Sequence, residues 1–201
     1  MTDLKNPSYF NSTNLFKDKS IVITAAAGSG IGFATAKRFL EEGANVFISD
    51  SHSERLDQAI QELRGLNLGS VDGCKCDVTN DNEINEMFSI AENTLNNIDV
   101  LVNNAGLGGD DLLETMSNDA WNKVIDITLN GTMRVIRAGI PFLKQSKGVI
   151  VNNASVLGWR AQKGQSHYAA AKAGVMALTR CVALELVQHN IRVNAVAPSL
   201  A

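Results

Sequence analysis

The stretch TAAAGSGIG, Thr24–Gly32, joins an apolar run, SIVIT at 20–24, to a helical period carried by Ile31, Ala34 and Leu40 and stopped by Gly43. A strand that passes through a glycine-rich turn straight into a helix leaves the first N–H groups of that helix unpaired, at the positive end of its dipole. Glycines allow a phosphate to approach such a backbone closely. A glycine-rich turn that binds nothing has the same local pattern, so the reading depends on what the rest of the chain adds.

Outward from this turn, apolar strand-like runs alternate with helical periods. The strand candidates are 20–24, 45–49, 71–76, 98–103, 148–153 and 191–196. Helical periods fall between them, on Leu56, Ala59, Ile60 and Leu63, and on Ile84, Met87, Phe88, Ala91 and Leu95. A longer helix follows Ser117, with Trp121, Val124, Ile125, Leu129, Thr132 and Ile136 on one side, and Gly139 and Pro141 read as its irregular end. The last helix runs from about Gln165 to His189. This alternation predicts an α/β fold, a doubly wound parallel sheet in one domain spanning 20–201, after a polar N-terminal extension at 1–19. Ligands of such sheets bind at the carboxyl ends of the strands, so the residues following each strand carry the functional weight.

Composition narrows the function classes. The 201 residues are 45% hydrophobic with a formal charge of −3, and no lysine or arginine run provides a basic face, which argues against nucleic acid as a partner. No stretch has the length of a membrane span or the form of a leader, so a cytoplasmic protein is expected. Cys74, Cys76 and Cys181 support neither a disulfide framework nor a metal site.

Two carboxylates and one helix face add chemistry to the glycine turn. Asp50 ends the second strand, where it can accept hydrogen bonds from adenosine ribose hydroxyls, and Asp77 follows the third, in reach of an adenine edge. Either carboxylate equally suits a cap for the next helix. In HYAAAKAG, 167–174, Tyr168 and Lys172 lie four residues apart and project together from one helix face. An ammonium beside a phenol favours the phenolate and makes a tyrosine able to exchange protons near neutral pH. A lone YxxxK is more often an ordinary helix face with a snorkelling lysine.

The set GSGIG after strand one, NNAG at 103–106, VNNASVLG at 151–158 and YAAAK at 168–172 resembles the short-chain dehydrogenase/reductase family, in order and spacing, over 20–198. The resemblance implies a Rossmann-type fold, NAD(H) as cofactor with NADP(H) as the alternative, and reversible hydride transfer between a secondary alcohol and a ketone. It implies Tyr168 as general acid/base, Ser155 as the hydrogen-bonding partner of the substrate oxygen, and Lys172 as the group that binds the nicotinamide ribose and lowers the Tyr168 pKa. Cofactor contacts are implied at Ala26, Gly28, Ser29, Gly30, Ile31 and Gly32, at Asp50, Asp77 and Val78, at Asn104, Ala105 and Gly106, and at Pro198 besides Tyr168 and Lys172. Asn103 and Gly106 are expected to shape the strand-four edge of the cleft. A homo-oligomer, dimer or tetramer, is also implied, and Val175, Leu178 and Val182 suit either its interface or the core.

Three departures qualify the likeness. The first glycine of the family's turn is replaced by Ala26 and Thr24 lies one residue early, so the turn must be built differently. Thr128, in ITLNGT, stands where the family carries a relay asparagine, with Asn130 two residues on; its hydroxyl is expected to hold the relay water. APSLA ends the chain where the family continues with a lid helix and a last strand, so the substrate lid and final strand are expected beyond Ala201. Trp159, Leu107 and Gln165 are expected near the nicotinamide end, and His167 in a packing or surface role. Arg55 and His52 lie close enough to Asp50 in sequence to favour a phosphate there. The loops TAAAGSGIG, 24–32, and SDSHSERL, 49–56, resemble those of a catabolic subgroup of the family, which implies acyl-CoA or steroid-derived ring ketones as substrates, with a 3-oxoacyl-thioester reductase, or a dinucleotide-binding regulatory protein without turnover, as alternatives.

Overall fold

The structure, a computed structural model, describes residues 10–199. Expectations for 1–9 and 200–201 therefore lie outside the described residues. The sheet has six strands, β1 (Ser20–Ile23), β2 (Asn45–Asp50), β3 (Val71–Lys75), β4 (Val100–Asn103), β5 (Val149–Asn153) and β6 (Arg192–Val196), in the order β3-β2-β1-β4-β5-β6. Every pairing is parallel. The helices between them are α1 (Ile31–Glu41), α2 (Ser53–Gly65), α3 (Asp81–Leu95), α4 (Asn118–Ile125), α5 (Gly131–Ser146) and α6 (Ser166–Leu186).

Both sheet faces are covered, which explains why β1 reads as an unbroken apolar run. Successive side chains of a strand point to opposite faces. Ile21 and Ile23 accordingly pack with Leu40, Ile48 and Leu63 beneath α1 and α2. Val22 faces the other way, into a core with Phe47, Phe88, Leu101, Ile150 and Val182 beneath α3, α5 and α6. The chain builds outward from β1 to β3 and then crosses back to β4, so the connections from β1 and β4 leave in opposite directions. That divergence opens a crevice at the carboxyl ends of these two strands.

The long helix expected after Ser117 is interrupted. Ser117 caps α4, its hydroxyl accepting the Ala120 N–H at 3.1 Å, but Asp126–Asn130 forms a π-helical turn before α5 begins. Gly139 and Pro141, read as its irregular end, lie inside α5 instead. The reason at Gly139 is close packing: a Cβ there would stand 2.8 Å from Cζ of Phe88 on α3.

The segment before β1 is strapped to α1. Glu42, just past that helix, is buried and accepts the backbone N–H groups of Thr13 and Leu15, and Arg38 pairs with the same carboxylate. Phe16 meets Phe39 edge-on at 4.7 Å.

Candidate active site

The crevice between β1 and β4 is knitted by short polar side chains. Thr24 Oγ1 accepts the N–H groups of Asn104 and Ala105 at 3.0 and 3.2 Å. Asn104 donates to the Ala25 carbonyl at 2.8 Å and accepts from Asn153, at the end of β5, at 2.8 Å. Strand ends β1, β4 and β5 are thus tied side by side. Asn103 does not shape this edge: its amide is buried and donates to Asn152, which in turn donates to Thr179 on α6. Period-2 alternation sends Asn103 into the sheet face and leaves Asn104 at the mouth.

The turn after β1 is built as the sequence requires, without the first glycine. Ala25 takes a left-handed φ of 50° and Gly28 one of 81°, while Ala26 is buried and donates its N–H to the Ser49 carbonyl. Only a few residues tolerate that conformation, and Ala25 holds it at a cost of about 1 kcal/mol. The remaining glycines differ in purpose. A Cβ on Gly32 would lie 2.5 Å from the Ala25 carbonyl oxygen and 2.6 Å from the Asn104 amide nitrogen, so this glycine seats α1 against the turn. A Cβ on Gly30 would meet nothing within 4 Å. Gly30 is the N-cap of α1 and offers no side chain to the first-turn N–H groups, and no acidic residue lies in that turn.

Two clefts of about 500 Å³ flank this turn. The first is lined by Ala25, Asp50, Arg55, Asp77, Val78 and the loop Ala105–Leu107. Asp50 is nearly buried there; its carboxylate accepts the N–H groups of Ala27 and His52 at 3.3 and 3.0 Å, and Arg55 stands 3.5 Å away. Neither Asp50 nor Asp77 caps a helix: His52 and Asn80 occupy those positions, and Asp77 accepts from Thr79 instead. Leu107, expected near the opposite end, belongs to this cleft.

The second cleft, about 510 Å³, is lined by Ile31, the strand-five exit from Asn153 to Leu157, Gln165, Tyr168 and Pro198. Ser155 is buried at its base, accepting the Leu157 N–H at 3.2 Å, which fixes the side chain at the start of a short 3-10 turn, Val156–Gly158. The carbonyl of Pro198 accepts from Val156 at 3.1 Å and closes the far wall. Gln165 reaches into this cleft as expected and donates to the Gly109 carbonyl. Trp159 stands outside it with 60% of its surface exposed.

On α6, Tyr168 and Lys172 share a face, with the ammonium 5.6 Å from the phenol ring centroid. Lys172 is buried and donates to the Asn153 carbonyl; burial lowers its pKa from 10.5 to about 8. Burial raises the Tyr168 pKa above its ordinary value, and a hydrogen bond with Ser155 counters part of that rise. At this phenol desolvation outweighs the Ser155 hydrogen bond. A raised phenol stays protonated at neutral pH and is suited to giving a proton. His167 is fully buried beneath Gly109, with Asp111 3.9 Å from Nε2, which bears out a packing role.

The hydroxyl of Thr128 accepts the Leu107 N–H at 2.9 Å and donates to the Leu107 carbonyl at 3.1 Å, so it clamps the loop after β4. Asn130 is likewise committed, to Asp126 at 3.1 Å. The π-helical turn places Thr128 there, and nothing in the helical period of the sequence announces that extra residue.

A six-stranded parallel sheet in this order, with an uncapped helix behind a glycine turn at its switch point and a cleft on each side, defines a dinucleotide-binding α/β protein. Over residues 19–201 the chain matches the short chain dehydrogenase family, and it belongs to that family. It is 50% identical over 197 residues, 97% of this chain and 75% of the relative, to a (5R,7aS)-5-hydroxy-7a-methyl-1-oxo-2,3,5,6,7,7a-hexahydro-1H-indene-carboxyl-CoA reductase of Mycobacterium tuberculosis. It is 45% identical, across 90% of this chain and 73% of the relative, to a 3-oxoacyl-[acyl-carrier-protein] reductase of Thermotoga maritima. The crystal structure of a short chain dehydrogenase from Mycobacterium smegmatis superposes with a TM-score of 0.94 at 49% identity, covering 97% of this chain and 82% of that one. The protein is an oxidoreductase that works with a nicotinamide cofactor. No helix among the described residues is long and apolar enough to cross a membrane.

Proposed function

We propose that the protein is an NAD(H)-dependent reductase of a ketone on a coenzyme A thioester, with Ser155, Tyr168 and Lys172 as its catalytic group. The observation that carries this reading is a buried serine hydroxyl and a phenol on one cleft beside the uncapped α1 turn, with the buried Lys172 ammonium 5.6 Å from the phenol ring. The acyl-CoA substrate class rests on the 50% identical relative, whose name specifies a carboxyl-CoA reductase.

The residues present fit a dinucleotide. The first-turn N–H groups of α1, with Gly28, Ser29 and Gly30 exposed before them, would hold the pyrophosphate. Asp50 would accept from the adenosine ribose, Asp77 and Val78 would border the adenine, and Asn104, Ala105 and Gly106 would line the middle of the path. Ala26, Ile31, Gly32 and Pro198 complete the walls. Asp50 favours NAD(H), since a carboxylate repels a 2′-phosphate. When bound, the reduced nicotinamide supplies a hydride to the carbonyl carbon.

In the reduction, the carbonyl π pair moves to oxygen as the carbon accepts hydride. Ser155 donates a hydrogen bond to that oxygen, and Tyr168 delivers the phenol proton that turns the developing alkoxide into an alcohol. Lys172, with a pKa of about 8, stabilises the resulting phenolate and stands able to hand on a proton near neutral pH. Thr128 holds Leu107 and thereby the loop that borders the cofactor path.

The test is a panel of 3-oxoacyl-CoA thioesters, ring ketones and simple secondary alcohols assayed with NADH and NADPH by the absorbance of reduced nicotinamide. Fastest turnover on a CoA-linked ketone with NADH supports the proposal. Turnover confined to simple alcohols overturns the substrate class, and absence of any turnover would favour a binding protein without catalysis.

A further inference from the structure

We infer that Arg160 recognises the phosphate of the pantetheine carrier that bears the substrate, an inference that rests on the thioester reading above. The cleft holding Ser155 and Tyr168 contains one charged lining side chain, Arg160, and no carboxylate. Arg160, like Arg180 and Arg192, has no ion-pair or side-chain hydrogen-bond partner among the described residues, and of these three it alone lines the cleft of Ser155 and Tyr168. An unpaired guanidinium presents a planar fork of donors that suits a phosphate better than it suits a neutral ketone.

The backbone that carries this side chain is held in place. Arg160 donates its N–H to the Val156 carbonyl at 2.8 Å, within the turn that begins at Ser155. That turn sits tightly on α6, since a Cβ on Gly158 would lie 2.5 Å from the Met176 sulfur. The side chain is exposed and swings from this anchored point, five residues from the serine in the same cleft. A reacting group at the cleft base and a charged tail at its rim describe an elongated substrate with an anionic end remote from the ketone.

The test uses three acetoacetyl thioesters, of coenzyme A, of 4′-phosphopantetheine and of pantetheine, which share one ketone and differ in phosphate. In the intact protein with NADH, Arg160→Ala is expected to raise KM for the coenzyme A thioester about tenfold or more, the effect of losing a charge-assisted hydrogen bond, with kcat unchanged. KM for the pantetheine thioester should not move, and Arg160→Lys should recover part of the loss. An effect on the phosphopantetheine thioester equal to that on coenzyme A assigns the contact to the 4′-phosphate; an effect on coenzyme A alone assigns it to the remaining phosphates. Equal KM values before and after the substitution, or equal losses on all three thioesters, overturn the role of Arg160 while leaving the thioester reading intact. Wild-type protein that reduces none of the three overturns both.

Discussion

The hydroxyl of Thr128 grips the backbone of Leu107 from both sides, taking its N–H at 2.9 Å and giving its own proton to the carbonyl at 3.1 Å. Thr128→Val keeps the shape and removes both bonds, leaving a partly buried N–H and C=O unpaired. A loss of about 1–3 kcal/mol in stability is expected by denaturant titration. Thr128→Asn, which restores the relay residue of the family, should leave kcat unchanged or reduced because the longer amide breaks the same clamp. A tenfold rise in kcat would show that the relay, and not the clamp, limits this enzyme.

Lys172 is a cost to folding. Its pKa falls from 10.5 to about 8 because the ammonium is buried, a difference of about 3 kcal/mol. Between those two values the unfolded chain holds a proton that the folded chain has released, so stability from this group rises with pH from about 8 to 10.5 and is flat below 8. Lys172→Met should raise the melting temperature at pH 7 by about 6–12 °C, reduced by what the bond to the Asn153 carbonyl contributes, while abolishing turnover. A lower melting temperature would mean that its bond to the Asn153 carbonyl outweighs desolvation.

Gly30 and Gly32 separate binding from folding. Gly32→Ala drives a methyl into the Ala25 carbonyl and the Asn104 amide and should destabilise the protein strongly, read as a shift of the thermal unfolding curve. Gly30→Ala meets open space and should leave the unfolding curve in place while weakening NADH binding in a direct titration. Equal effects of both on stability would remove the assignment of Gly30 to the pyrophosphate.

The proposed preference for NADH rests on Asp50. Asp50→Asn removes the charge and frees Arg55, and it keeps an acceptor oxygen for only one of the Ala27 and His52 N–H groups, which bond different carboxylate oxygens. The preference for NADH over NADPH should narrow by about tenfold or more, measured by fluorescence titration of each. NADPH binding to the wild-type protein as tightly as NADH would contradict the role given to the carboxylate.

Much of this architecture is legible from periodicity. The six strands fall on the apolar runs, and the residues after β1, β4 and β5 meet at one crevice because parallel strands place their carboxyl ends together. Local pattern fails where a distant partner decides. Ala25 adopts a positive φ because Asn104 holds its carbonyl and Ala26 is tied to Ser49, contacts that no turn preference for alanine records. Gly139 reads as a break but lies inside α5, since what it answers is the ring of Phe88 on another helix. Leu107 lines the cleft of Asp50, its backbone held by the Thr128 hydroxyl, a contact that spans 21 residues of sequence. Arg160 carries no motif; its interest comes from the absence of an acid in a cleft whose lining is drawn from four separate segments.

The proposed donation of a proton by Tyr168 is tested most directly by replacing that one oxygen. Tyr168→Phe removes the phenol hydroxyl and keeps the ring beside Lys172. With acetoacetyl-CoA and NADH, kcat should fall by about 10²–10⁴-fold, the range for loss of a general acid, with NADH affinity within about twofold of wild type. A variant that binds NADH normally and keeps most of the wild-type rate would contradict the assignment.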